Sequence, residues 1–124
     1  MTRNKKKTRL SNAQVIEMMI SPTAALYRLV ATGRIDENDL GALQLCCVLA
    51  AQIENVSRID APDSTVLYRL TQQIEAGMAV LEERIEKSRE WLRQYADYLR
   101  RVPFEDVRKA IAIVQKSCRE PSHA

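Results

Sequence analysis

From Leu67 to Val102, eleven residues follow one another at alternating steps of four and three: Leu67, Thr71, Ile74, Met78, Leu81, Ile85, Ser88, Leu92, Tyr95, Leu99 and Val102. Nine of the eleven are apolar, which is too regular for chance. That spacing puts them on one stripe of an α-helix and on neither face of a strand. It predicts a single helix over residues 64–102, roughly 58 Å long at 1.5 Å per residue. The outer face supports this reading, because Glu83 and Lys87, and Asp97 and Arg101, stand one helical turn apart with opposite charge. Trp91 and Tyr98 widen the stripe on one flank, and Gly77 sits beside it as a weak point or a place of close helix approach.

The rest of the chain is also helical in pattern. Three Gly and four Pro among 124 residues exclude a turn-rich β protein or a collagen-like one. Ser11 and Gln14 have the spacing of a capping box, which starts a first helix over residues 11–19. Ser21 and Pro22 suit the cap and first turn of a second helix, which Gly33 ends. A third helix starts at Asp36, with Glu37 and Asp39 in its first turn and Ile35 and Leu40 at staple positions. Its centre, from Leu43 to Ile53, is apolar on nearly every side, as expected of a helix touched from several directions. Pro103 opens a last helix, with Phe104, Val107, Ile111, Val114 and Cys118 on one face.

These elements define the expected fold: all-α, an elongated five-helix bundle with a long, coiled-coil-like fourth helix as its spine. The expected core is Leu43, Cys46, Leu49, Ile53, Leu70, Ile74, Leu81, Ile85, Leu92, Leu99, Ile111 and Val114. The shorter helices, laid end to end, nearly cover the spine. Alternatively, part of the stripe stays uncovered and pairs with a second copy. The candidate self-association seam is Met78, Leu81, Ile85, Trp91, Leu92, Tyr95 and Leu99.

Charge divides the chain further. The formal net charge is +3, yet Arg3, Lys5, Lys6, Lys7 and Arg9 put five bases and no acid into the first ten residues. Residues 1–10 therefore read as a basic flexible arm, 11–119 as one helical domain and 120–124 as a frayed tail. The third helix is acidic and the C-terminal region basic, so the body is polarised. Arg3, Lys5, Lys6, Lys7, Arg9, Thr23, Arg28, Arg34, Arg100, Arg101, Arg108 and Lys109 are the candidate contacts to nucleic acid or to an acidic partner.

Little supports catalysis. Cys46, Cys47, Cys118 and His123 are the only soft metal ligands, and they show no CxxC or HxxxH spacing. Adjacent cysteines on a helix diverge by roughly 100°, so Cys46 and Cys47 are expected as reduced thiols in a cytoplasmic protein. Glu82, Glu83, Glu86 and Glu90 alternate with bases on a solvated face, and no Gly-rich phosphate loop occurs. The reading is of no enzyme, no cofactor and no metal. The longest unbroken apolar run, residues 45–51, is far short of the ~18 residues of a membrane span, so no membrane partner is expected.

Two resemblances add a setting. Tyr27-Arg28-Leu29-Val30 followed by Gly33-Arg34-Ile35, within residues 13–35, resembles the helix-turn-helix of excisionase-type regulators. That likeness implies a second helix in the major groove, with Thr23, Ala24 and Arg28 at the DNA. Across residues 22–115, Leu26-Tyr27-Arg28-Leu29, Gly33, Asp39-Leu40, the 43–53 helix, Glu75-Ala76-Gly77-Met78 and the stretch from Arg84 to Trp91 are similar to small helical accessory proteins. Phages, prophages and plasmids of proteobacteria encode that group. The resulting expectation is a non-enzymatic binding or adaptor protein of a mobile element in a bacterial cell. It would act by protein–protein contact, for instance by modulating a host protein, and would form a homodimer. The alternative is a DNA-binding accessory factor that uses the arm and the 13–35 hairpin.

Overall fold

The computed structural model describes residues 8–119. They form an all-α bundle of five helices: α1 (Asn12–Thr32), α2 (Glu37–Ser57), α3 (Thr65–Glu75), α4 (Glu82–Arg101) and α5 (Phe104–Arg119). The number of helices is as expected, but two of their boundaries are not.

The first difference is at Pro22, which lies inside α1. The expected pair of helices, 11–19 and 21–32, is one helix of 21 residues. A proline in a helix interior removes a hydrogen bond and costs about 3 kcal/mol. Against this, Val15, Met19, Pro22, Leu26 and Leu29 form one buried stripe at steps of four and three, running straight through the proline. Each large apolar side chain buried there is worth about 1.5–3 kcal/mol, so the stripe outweighs the break. The caps read from sequence are present at both ends. Gln14 N–H donates to Ser11 Oγ at 3.1 Å, and Ser11 N–H donates to Gln14 Oε1 at 2.8 Å. Gly33 takes a left-handed conformation (φ +74°), and its N–H donates to the Leu29 carbonyl.

The second difference is the spine. The expected 64–102 helix is broken between Glu75 and Glu82. Gly77 adopts φ +71°. Its N–H donates to the Ile74 carbonyl, and that of Met78 donates to the Gln73 carbonyl, both at 3.0 Å. This is the Schellman arrangement, which closes a helix by satisfying its last carbonyls. Glu82 and Glu83 then occupy the first turn of α4, where the helix dipole favours acids. The break lets α3 pack on both α2 and α4.

α2 is the central helix and touches α1, α3 and α5. Asp36 caps it by accepting from Asp39 N–H at 2.8 Å. By length and composition α2 is apolar enough to cross a membrane, with a mean hydropathy of 1.3 in its most apolar stretch. Counting unbroken apolar runs in the sequence missed this. In the fold, its Leu43, Cys46, Leu49, Ala50 and Ile53 are core residues packed among other helices. From the expected core, Leu43, Cys46, Leu49, Ile53, Leu70, Ile85, Leu92, Leu99 and Val114 are buried, and Ile74 and Ile111 are half-buried. Leu81 is 70% exposed, because it lies in the connection that the break creates.

Gly77→Ala tests the break by its sign. A Cβ at Gly77 would meet nothing within 4 Å, so only backbone strain opposes the change. With Gly77 left-handed, the substitution costs about 1–2 kcal/mol. In a continuous helix it would instead stabilise by about 1 kcal/mol. Urea unfolding followed by circular dichroism should show a lower midpoint for Gly77→Ala.

Candidate binding groove

The continuous α1 carries a second apolar stripe beside its buried one. Ile16, Ile20 and Tyr27 follow at helical spacing and are 59%, 60% and 71% exposed. α4 packs against α1 and sets Arg89, Arg93, Ala96 and Arg100 along the other side, again one helical turn apart. Between the two helices runs an open groove of about 750 Å³. Its floor is Val15, Met19, Leu26 and Leu92, with Thr23 and Ala24 on the α1 side. Among the described residues, the charged ones that line it are Arg28, Arg89, Arg93 and Arg100, and no carboxylate does.

Three of those arginines hold acids of their own helix. Arg89 bonds Glu86 at 2.9 Å, Arg93 bonds Glu90, and Arg100 bonds Asp97 at 3.1 Å. The Arg93 guanidinium keeps the Glu90 carboxyl below its ordinary range. Exposed pairs of this kind are weakly held, which leaves Arg89 and Arg93 free to turn, whereas Arg100 also donates from Nε to Asn12 Oδ1 of α1 at 2.9 Å. Arg28 differs. Its Nε donates to Asp39 Oδ2 at 2.7 Å and its terminal nitrogen to Oδ1 at 2.5 Å, a two-pronged bond across helices. Asp39 is buried, and the Arg28 guanidinium holds its carboxyl below the usual carboxylate value. This pair fixes α1 to the first turn of α2 and sets the Tyr27 end of the groove.

The other residues singled out from sequence fall in four places. Arg3, Lys5, Lys6 and Lys7 lie outside the described residues. Thr23 and Arg28 are in the groove wall, and the Arg28 guanidinium is bonded to Asp39. The two-helix hairpin over 13–35 is corrected with it, since the turn it needs is inside a helix. Arg34 is exposed in the α1–α2 turn, and Arg9, Arg101, Arg108 and Lys109 are exposed around the α4–α5 junction. The expected seam between copies is also corrected. Ile85, Trp91, Leu92, Tyr95 and Leu99 are buried within the single chain, and Trp91 stacks on Tyr95 with ring centroids 5.1 Å apart. Only Met78 and Leu81 of that seam are exposed, because they fall in the α3–α4 connection.

The cysteines described are inert by environment. Burial pushes the Cys46 thiol up to about 12 and that of Cys47 up to about 11, so neither is a thiolate near neutral pH. Among the described residues, no group of three or more His, Cys, Asp or Glu is placed to hold a metal ion. Cys118 and His123 fall where the structure describes no side chain. Sequence reasoning missed Ile16, Ile20, Arg89 and Arg93. Ile16, Ile20 and Tyr27 repeat the 15–29 stripe one position on, but dividing the segment at Pro22 hid the repeat.

No family model, curated protein or solved structure matches this chain. The groove therefore has to be read on its own chemistry.

The Arg28–Asp39 pair predicts a pH dependence. Because the folded state lowers the Asp39 pKa, the pair stabilises the fold above the ordinary carboxylate value of 3.8. That stabilisation is lost as pH falls below this value and through the depressed folded one. Asp39→Asn should unfold at lower urea than the parent at pH 7, and the gap between the two proteins should narrow towards pH 2 to 3.

Proposed function

We propose that this chain is a non-enzymatic binding protein that works by protein–protein contact. Its α1–α4 groove receives an amphipathic helix with acidic residues along one edge. One observation carries the reading: an open apolar groove of about 750 Å³ lined along α4 by Arg89, Arg93 and Arg100. Helix-in-groove recognition uses anchors at i, i+3, i+4 and i+7, and Ile16, Ile20 and Tyr27 offer a matching apolar wall. The arginines of α4 would meet carboxylates on the flank of the incoming helix, which favours correct partners and speeds encounter. The mobile-element setting, in which such a protein occludes or modulates a host protein, is supported by the resemblance of residues 22–115 alone.

Affinity capture from nuclease-treated bacterial lysate tests this, with the parent and Ile20→Glu as baits. Ile20 is exposed, so the variant should keep its helical circular dichroism. A partner seated in the groove should bind the variant at least about tenfold more weakly, a loss of about 1.4 kcal/mol. Arg93→Glu should weaken the same partner. If both variants capture what the parent captures, in equal amount, the groove is not the binding site.

A further inference from the structure

A second hollow, of about 290 Å³, lies between α1, α2 and α5 and shares no lining residue with the groove. Met18 and Pro22 of α1, Leu45 and Leu49 of α2, and Ile111 and Val114 of α5 line it. Among the described residues, no charged side chain does. Cys46 of α2 and Tyr95 of α4 reach it from the core. Tyr95 is 2% exposed, and a hydroxyl so buried ordinarily has a hydrogen-bond partner. That of the neighbouring Tyr98 has one, donating to the Ile59 carbonyl at 2.5 Å. The Tyr95 hydroxyl has none among the described residues, and it is not sealed in as Trp91 Nε1 is, so it opens into the hollow. Pro22 adds a second polar group, because it has no N–H to give to the Met18 carbonyl one turn back. Both of those residues line the same hollow.

We propose that this hollow binds a small neutral molecule, an apolar body of about two fused rings that carries a hydroxyl group. Size sets the first part of that description. A cavity of about 150 Å³ takes a benzene ring, so one of about 290 Å³ has room for two. Charge sets the second. A buried ion needs a counter-charge, and the described lining offers none. Its ionisable groups stay protonated near neutral pH, since burial pushes the Cys46 thiol up to about 12 and raises Tyr95 as well. Hydrogen bonding sets the third. The Tyr95 hydroxyl can donate to a ligand oxygen, and the Met18 carbonyl can accept from a ligand hydroxyl. A wholly apolar molecule, or an apolar side chain of another protein, would bury both without a partner, at a cost of about 1–3 kcal/mol each.

Titration of the isotope-labelled full chain with β-naphthol, followed by NMR at the backbone amides, tests the proposal. Saturable shifts are expected at Leu49 and Ile111, and not at Ile16 and Ile20 of the groove. Ala42 is half-buried and lines the hollow, so Ala42→Leu should fill part of it and weaken binding at least about tenfold. Tyr95→Phe removes the hydroxyl alone and should weaken binding about 3- to 10-fold. The same variant should keep the urea midpoint of the parent or exceed it, because no described residue uses that hydroxyl. If Ala42→Leu loses its helical circular dichroism, Tyr95→Phe alone carries the test. The proposal is overturned if no saturable shift appears up to about 1 mM β-naphthol, or if the shifts centre on the groove. A clearly lower urea midpoint for Tyr95→Phe would overturn it by showing that the fold itself holds the hydroxyl. Equal affinity of the parent and Tyr95→Phe would also overturn it, leaving a hollow suited to apolar groups such as a partner's side chain.

Discussion

Burial of one face of α1, from Val15 to Leu29, has to outweigh the hydrogen bond that Pro22 removes, and most of the molecule follows from that balance. Were the helix to break at Pro22, its two halves would point their apolar residues in different directions. Because it does not, one continuous helix shows two neighbouring stripes. The inner stripe forms core with α2 and α4, and the neighbouring Ile16, Ile20 and Tyr27 are left facing water. The groove is a by-product of that continuity: the helix has a wide apolar arc, and the bundle covers only part of it.

The Arg28–Asp39 bond adds direction to the same arrangement. A carboxylate buried at the start of α2 must find a cation, since an unpaired buried charge is strongly unfavourable. Arg28 supplies it with two donors in the plane of the carboxylate. The bond couples the last third of α1 to the first turn of α2, next to the Gly33 turn. The arginine that most resembles a DNA-reading residue in the linear sequence thus ties two helices together.

The long 4-3 repeat over residues 67–102 is real as a pattern, but two helices share it. Leu67, Leu70 and Thr71 of α3, and Ile85, Ser88, Leu92, Tyr95 and Leu99 of α4, are all buried in the bundle. Folding the repeat back on itself satisfies it within one chain, so it leaves no exposed seam. Met78 and Leu81 lie in the connection and are its exposed remainder. The signals for the break were in the sequence, as Gly77 followed by Glu82-Glu83. A repeat this regular hid them, because a glycine costs only about 1 kcal/mol within a helix and a repeat can run on through it.

Local chemistry determined what the sequence could show by itself: an all-α chain, the caps at Ser11, Asp36 and Gly33, and the apolar face of each helix. A hydrogen bond to a cap or a side chain's place on a helical face depends on neighbours a few residues away, and these can be counted along the chain. Continuity through Pro22 and the pairing of Arg28 with Asp39 were decided only by the tertiary structure. In each case the deciding energy comes from burial or charge contacts with residues distant in sequence. The same holds for the groove. Ile16, Ile20 and Tyr27 line a groove only because α4 sets its arginines alongside and, among the described residues, no helix covers them.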